Sequence, residues 1–266
     1  MVQLTQIAEA AYRPAQQSQY ARLILHLVMR DFYIRHTGSL LGVAWSILVP
    51  LVQLAALIFT FGRVVPIAID DYPAFVYVAL LPWSWFSSCV STAGFIFFNH
   101  RDLVRRPHFP PGILPVVNTL SHFTALLFSL PLLIGILIWY GRGLTLVALL
   151  LPLLFLVQAA MLTGITLLLA TWNVFYRDVS QLANVLLSFL FFLTPIFYSP
   201  AVSSDYAFVF QVNPMSNLIA CYRAILFEGN FPAAGPLWIS IAASVLFLAV
   251  GYTVFRSWMP DMVDAV

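Results

Sequence analysis

This sequence carries few side chains able to hold charge or move protons, and its cations come in one form: all 12 basic residues are arginine. The lack of lysine removes Schiff-base chemistry and the phosphate loop G-x-x-x-x-G-K-[ST]. If ATP drives this protein, another polypeptide binds it. There is no H-E-x-x-H, G-x-S-x-G or C-x-x-C pattern. The two cysteines, Cys89 and Cys221, lack metal or redox spacing and read as small apolar fillers. No catalytic set, no metal site and no cofactor bound by this chain are expected, and nothing points to nucleic acid.

The polar residues that remain fall into short clusters. One runs from Asn99 through Arg101, Asp102, Arg105 and Arg106 to Phe109, Pro110 and Pro111. It is dense, basic and closed by prolines, which suits either a charged membrane anchor or a short helix docking into a partner's groove. A second is Asn173-Val174-Phe175-Tyr176-Arg177-Asp178. Loops this compact leave little slack between themselves and their helices, so they transmit rigid-body motion well. Asp70-Asp71 is the only adjacent acidic pair and sits beside Tyr72-Pro73, where an aspartate supports the positive end of a helix. His122 lies deep in an apolar stretch. Ionisable groups there are functional suspects, and the plainer reading is a neutral histidine hydrogen-bonded to a neighbouring helix.

The elements that must position these residues follow from composition. The chain is 62% hydrophobic and 8% charged, against about 45–50% and about 25% in ordinary soluble domains. Lipid must therefore be the solvent for much of its surface. Charged residues leave six long charge-free windows, 36–62, 72–100, 107–141, 143–176, 179–204 and 229–255. Each exceeds the roughly 20 residues needed to cross a hydrocarbon core. Backbone groups in lipid must be satisfied internally, and continuous apolar runs favour helices over a barrel. Six transmembrane helices are predicted near 39–61, 74–97, 114–139, 144–170, 180–198 and 237–256. The window 206–222 is short and polar, carrying Gln211, Asn213, Pro214, Ser216 and Asn217. It predicts external re-entrant short helices between spans five and six, with Pro195 and Pro200 breaking the end of span five.

Arginine bias sets direction. Arg13, Arg22, Arg30, Arg35, Arg101, Arg105, Arg106, Arg177 and Arg256 fall on one side, and Arg63, Arg142 and Arg223 on the other. That places both termini in the cytoplasm. The first 17 residues are polar and lack the apolar core of a secretory signal, so residue 1 reads as mature. Across 18–36, Gln19, Arg22, His26 and Arg30 form a polar stripe, with Leu23, Ile24, Leu27, Val28 and Phe32 filling the rest. An N-terminal amphipathic interface helix is expected there, as a plain anchor or with a recognition role. The whole of 1–266 reads as one transmembrane domain. Gly38 and Gly42 form G-x-x-x-G, which permits close helix approach within or between subunits.

Taken in order, Arg30-Asp31-Phe32, Gly38 to Gly42, Trp45, Pro50, Leu81-Pro82-Trp83, Phe86, the 99–110 loop, Asn173, Arg177-Asp178, Thr194 to Tyr198, Asn213-Pro214 and Tyr222-Arg223 resemble type-2 ABC exporter permeases. More narrowly, they resemble the branch that exports lipid-linked O-antigen, capsular polysaccharide and teichoic acid. The resemblance covers roughly residues 20–230. It implies a homodimer in the bacterial inner membrane with a separate ABC ATPase subunit, which holds ATP and Mg. It implies that Asn99, Arg101, Asp102, Arg105, Arg106, Phe109, Asn173, Arg177 and Asp178 couple to that ATPase. Arg30 and Arg35 would lie at the entry for the head group of a lipid-linked glycan. Pro200, Asn213, Pro214, Tyr222 and Arg223 would form an external gate. Among 41 aromatics, Trp45, Phe59, Phe189, Phe192 and Tyr198 are candidates for the path, because rings with polar rims suit sugars. A permease for a small hydrophobic drug or simple lipid shares this topology. A membrane-embedded glycosyl or acyl transferase would need a catalytic acid, base or metal set, which the sequence does not offer.

Overall fold

A computed structural model describes residues 19–35, 37–64, 69–199 and 207–265, and all regular structure among them is helical. Eleven helices are used below. Helix α1 spans 19–35. Then come α2 (Trp45–Phe59), α3 (Tyr72–Ala93), α4 (Ile96–Asn99), α5 (Arg101–Val104) and α6 (Ile113–Trp139). They are followed by α7 (Leu151–Phe175), α8 (Val179–Leu193), α9 (Ala207–Val212), α10 (Pro214–Leu226) and α11 (Ala234–Ala265).

Five stretches are long and apolar enough to cross a bilayer: Gly42–Phe59, Tyr72–Ala93, Ile113–Trp139, Leu146–Phe175 and Ala234–Met262. The helix predicted over 180–198 ends earlier. Thr194 is extended, with φ −100 and ψ 128, as the residue before a proline prefers, so α8 has 15 residues. At 1.5 Å per residue it reaches about 22 Å, short of a core of about 30 Å. The last helix is longer than 237–256 predicts. It continues past Arg256 because Met262 is fully buried, in a cluster with Leu27, Val104, Leu114 and Phe255.

That cluster gathers α1, α4, α5 and the end of α11 at one end of the bundle, here called the arginine-rich end. Leu23, Ile24, Leu27 and Val28 turn inward from α1, and Phe32 stacks on Phe128 of α6 at 5.7 Å. The amphipathic pattern thus chooses the packed face as well as the helix. The hydroxyl of Thr37 donates to the Tyr33 carbonyl at 2.6 Å and closes α1. Gly38 and Gly42 have φ of +80 and +48. They turn the chain from α1 into α2 rather than forming a helix-packing stripe.

The close approach lies elsewhere. A Cβ on Gly164 of α7 would run into the backbone of Phe247 and Leu248 of α11, and one on Gly251 into the Gly164 carbonyl. In lipid, where burial of apolar surface drives association weakly, small residues let two helices gain contact instead. α3 fills the centre, with 78% of its spanning window buried, whereas α2 has 11%.

Candidate functional site

At the arginine-rich end, α5 turns Arg101 and Asp102 outward while Val104 is buried beneath them. Arg105, Arg106 and His108 are exposed, and Phe109 is partly buried. Asn99 is exposed at the end of α4, and Arg177 and Asp178 are exposed between α7 and α8. These residues form a charged outer face on an apolar base.

Asn173 departs from that pattern. It is 1% exposed. Its Nδ2 donates to the Gly94 carbonyl at 2.8 Å, and its Oδ1 accepts from the Ser180 backbone N–H at 3.0 Å. Gly94 leaves room for it, since a Cβ there would lie 2.8 Å from Ser180 Cβ. Asn173 therefore braces α3, α7 and α8 from the last turn of α7 and presents nothing to a partner surface.

α1 meets this loop through Asp31. Its Oδ1 accepts from Arg30 Nη2 at 3.0 Å and lies 3.6 Å from His100 Nε2. Burial alone would raise the Asp31 pKa, but hydrogen bonds and charge from His100 and Arg30 outweigh it and hold it below the usual carboxylate value. Arg30 thus has a carboxylate beside it. Arg35 has none within 4.0 Å among the described residues. Its guanidinium instead faces His122 of α6, with Nη1 2.9 Å from Nδ1 and Nη2 3.1 Å from Nε2. Arginine only donates, so an imidazole nitrogen accepts. The Thr92 hydroxyl stands 3.1 Å from His122 Nε2 and 3.1 Å from Asn118 Oδ1. Asn118 Nδ2 donates to the Cys89 carbonyl at 3.2 Å. His122 is hydrogen-bonded to its neighbours, as the plainer sequence reading predicts, and one of them is a cation.

Arg35 and His122 line two cavities at once. One, of about 750 Å³, reaches Arg30, Asp31, Asn99 and His100. The other, of about 420 Å³, lies between α2, α3 and α6 and is bordered by Trp45, Trp85, Gln53 and several serines. A third cleft, of about 590 Å³, lies between α3, α7, α8 and α10 and is bordered almost wholly by apolar groups, including Trp83, Phe86, Met161 and Leu187.

At the opposite end, Asn213 caps α10. Its Oδ1 accepts from Met215 N at 3.0 Å and its Nδ2 donates to Thr194 Oγ1 at 2.9 Å, with Pro214 in the first turn. Such a cap satisfies a helix N–H that would otherwise lack a partner. Arg223 is 6% exposed, lies 3.6 Å from the Phe75 ring centre, and donates from Nη2 to the Ile196 carbonyl at 2.7 Å. Tyr72 donates to the next carbonyl, Phe197, at 3.0 Å. Tyr222 is fully buried, and its hydroxyl donates to Gln158 Oε1 at 3.0 Å. Gln158 in turn donates to the Pro82 carbonyl at 2.8 Å. Of the predicted gate residues, Asn213 and Arg223 therefore bond the turn after α8, Pro214 starts α10 beside Asn213, Tyr222 turns instead to α7, and Pro200 lies outside the described residues.

Trp45, Phe59, Phe189 and Phe192 are all exposed, the first two on α2 and the others on one face of α8. Tyr198 is partly buried, and its hydroxyl donates to the Phe192 carbonyl at 2.9 Å. Sequence reasoning missed Gln158, Tyr72 and the pair Arg142–Asp71, whose Nε and Oδ2 are 2.8 Å apart. A glutamine inside an apolar run was the available signal for the first.

Comparison with known proteins adds the family. The chain is 32% identical over 251 residues to the O-antigen export system permease protein RfbA of Myxococcus xanthus, covering 93% of this chain and 96% of that one. It is 25% identical over 238 residues to the protein of the same name from Klebsiella pneumoniae, covering 88% and 91%. The family model of the ABC-2 type transporter matches residues 22–227. With five bilayer-length helices and that match over most of its length, this multi-pass membrane protein belongs to the ABC-2 type transporter family.

Proposed function

We propose that this chain is the membrane permease of an ATP-driven exporter that moves lipid-linked polysaccharide out of the bacterial cytoplasm across the inner membrane. The observation that carries the reading is near full-length similarity to two permeases named for O-antigen export. The rest of the assembly follows from chemistry that this chain lacks. With no lysine and no phosphate loop, ATP and Mg²⁺ belong to a separate ABC ATPase. The exposed residues Arg101, Asp102, Arg105 and Arg106 are the surface offered to it. A second copy of the chain stands across the path from the exposed aromatic faces of α2 and α8. Both termini and the arginine-rich end face the cytoplasm, by the excess of arginines there.

In this reading a lipid diphosphate enters beside α1. Arg35, with no carboxylate within 4.0 Å among the described residues, is the cation that receives it, while Arg30 is partly neutralised by Asp31. Closure of the ATPase pushes on α5, and α4 and Asn173 pass the movement to α3, α7 and α8. The turn after α8, held by Arg223 and Tyr72, is the external gate.

The apolar cleft bordered by Trp83 and Met161 favours a second reading, export of a simple lipid. Deleting the gene in its native bacterium separates the two. The glycan reading expects surface polysaccharide to vanish and lipid-linked glycan to accumulate inside, with rescue by the intact gene and not by R105E/R106E. Unchanged surface polysaccharide would refute it.

A further inference from the structure

The cavity between α2, α3 and α6 carries polar groups with no partner among the described residues. Gln53 and Ser88 both border it, and their side chains make no hydrogen bond to any described residue. Among the other lining hydroxyls, those of Ser84, Ser87 and Ser129 are used and that of Ser46 has no partner among the described residues. Ser84 donates to the Leu80 carbonyl at 2.8 Å, and Ser129 to the Ser46 carbonyl at 2.9 Å. That second bond replaces one that Pro50 cannot make, because proline has no N–H to offer the carbonyl four residues earlier. The fold therefore satisfies a freed backbone group and leaves the exposed Gln53 amide and the half-buried Ser88 hydroxyl open towards the same space. An unsatisfied polar group in a bilayer is costly unless the cavity holds something polar.

The remaining lining says what that is. Charge is confined to one end, at Arg35 beside His122. The walls otherwise offer uncharged donors and acceptors and two indole rings, Trp45 and Trp85. Both indole N–H groups are tied, Trp85 to the Thr119 carbonyl at 3.0 Å and Trp45 to Ser39 Oγ at 3.1 Å, and Trp45 is 48% exposed. A volume of about 420 Å³ lies in the range of small-ligand pockets, about 300–1,000 Å³. The matching ligand has an anion at one end and a compact hydroxyl-bearing ring with an apolar face at the other.

We infer that this cavity binds the sugar ring attached to the diphosphate of the lipid carrier, with Gln53 and Ser88 as specificity-determining residues. The inference rests on the glycan reading above and adds a site to it. Arg35 holds the phosphate at the mouth, the Gln53 amide and Ser88 hydroxyl bond ring hydroxyls, and an indole face packs on the ring. Export then selects its cargo at the first sugar as well as at the lipid.

The test uses the complete transporter, this chain with its ATPase, in lipid nanodiscs. The probes are polyprenyl diphosphate and the same lipid bearing one glucose, galactose or N-acetylglucosamine. At least one glycosylated probe is expected to bind roughly tenfold tighter than the bare diphosphate, the gain from two further hydrogen bonds. Q53L/S88L should erase that advantage and leave bare diphosphate binding within about twofold. Q53M/S88A, closer in shape, should do the same if the first variant folds poorly. R35Q should weaken all probes together. Equal binding of bare and glycosylated lipids, or an advantage that survives both double variants, overturns the sugar site alone. Failure of every probe to bind the unaltered transporter overturns the glycan reading with it.

Discussion

The pair α7 and α11 and the pair α2 and α8 are built from equally apolar sequence and packed in opposite ways. α7 and α11 touch backbone to backbone at Gly164 and Gly251, and Ser244 adds a hydrogen bond from α11 to the Val157 carbonyl at 2.8 Å. α2 and α8 leave whole faces open, with Trp45, Val52 and Phe59 on one and Val185, Phe189 and Phe192 on the other. The difference separates a block that holds its shape from two flanks with unpartnered surface. Hydropathy cannot distinguish the two pairs. Only the location of side-chain-free positions and of buried polar atoms does.

Breaking the block should have the largest effect. G164L drives a side chain into the α11 backbone, and overpacking of this kind costs about 1–3 kcal/mol or more. The variant is expected to lose monodisperse, thermally stable protein in detergent on size-exclusion and thermal-shift analysis; normal behaviour would show that the helices do not cross here. N173A comes next. It leaves the Gly94 carbonyl and the Ser180 N–H unpaired, for about 2 kcal/mol, and should lower Tm by several degrees. It should also speed proteolysis of the 99–110 loop, and an unchanged loop would remove Asn173 from the brace.

R223M should be milder in stability, because removing a buried cation that has no carboxylate partner among the described residues also removes its desolvation cost. Its effect is expected in hydrogen exchange, faster by about tenfold across 194–199, where the Ile196 carbonyl loses its donor. Protection equal to the unaltered protein would detach Arg223 from the gate. F189A should change Tm least, within about 0.5 kcal/mol for an exposed position, yet reduce glycan export. Full export with F189A would take the open face of α8 off the path.

The sequence made α1 legible down to the face it buries, because Leu23, Ile24, Leu27, Val28 and Phe32 repeat at helical spacing. It also located the polar break around Asn213-Pro214. Helix ends were less legible. The prolyl restriction on Thr194 ends α8 early, and the buried Met262 carries α11 beyond a charged Arg256 that reads as a stop. The bond from Asn173 to Gly94 and the chain from Tyr222 through Gln158 to Pro82 join residues 64 or more positions apart. Spacing carries no record of such pairs. Gly38 and Gly42 show the converse: a packing motif by spacing, used instead as two positive-φ turns.

The most direct test of the central claim is transport by purified protein. This chain and its ATPase partner, reconstituted into sealed vesicles with lipid-linked polysaccharide, should move glycan to the far leaflet only when ATP is supplied on the side of α5. R35Q and R105E/R106E should each abolish that movement, the first by losing the substrate and the second by losing the motor. Glycan that stays in place with ATP and the unaltered complex, or that crosses equally without ATP, would contradict the account.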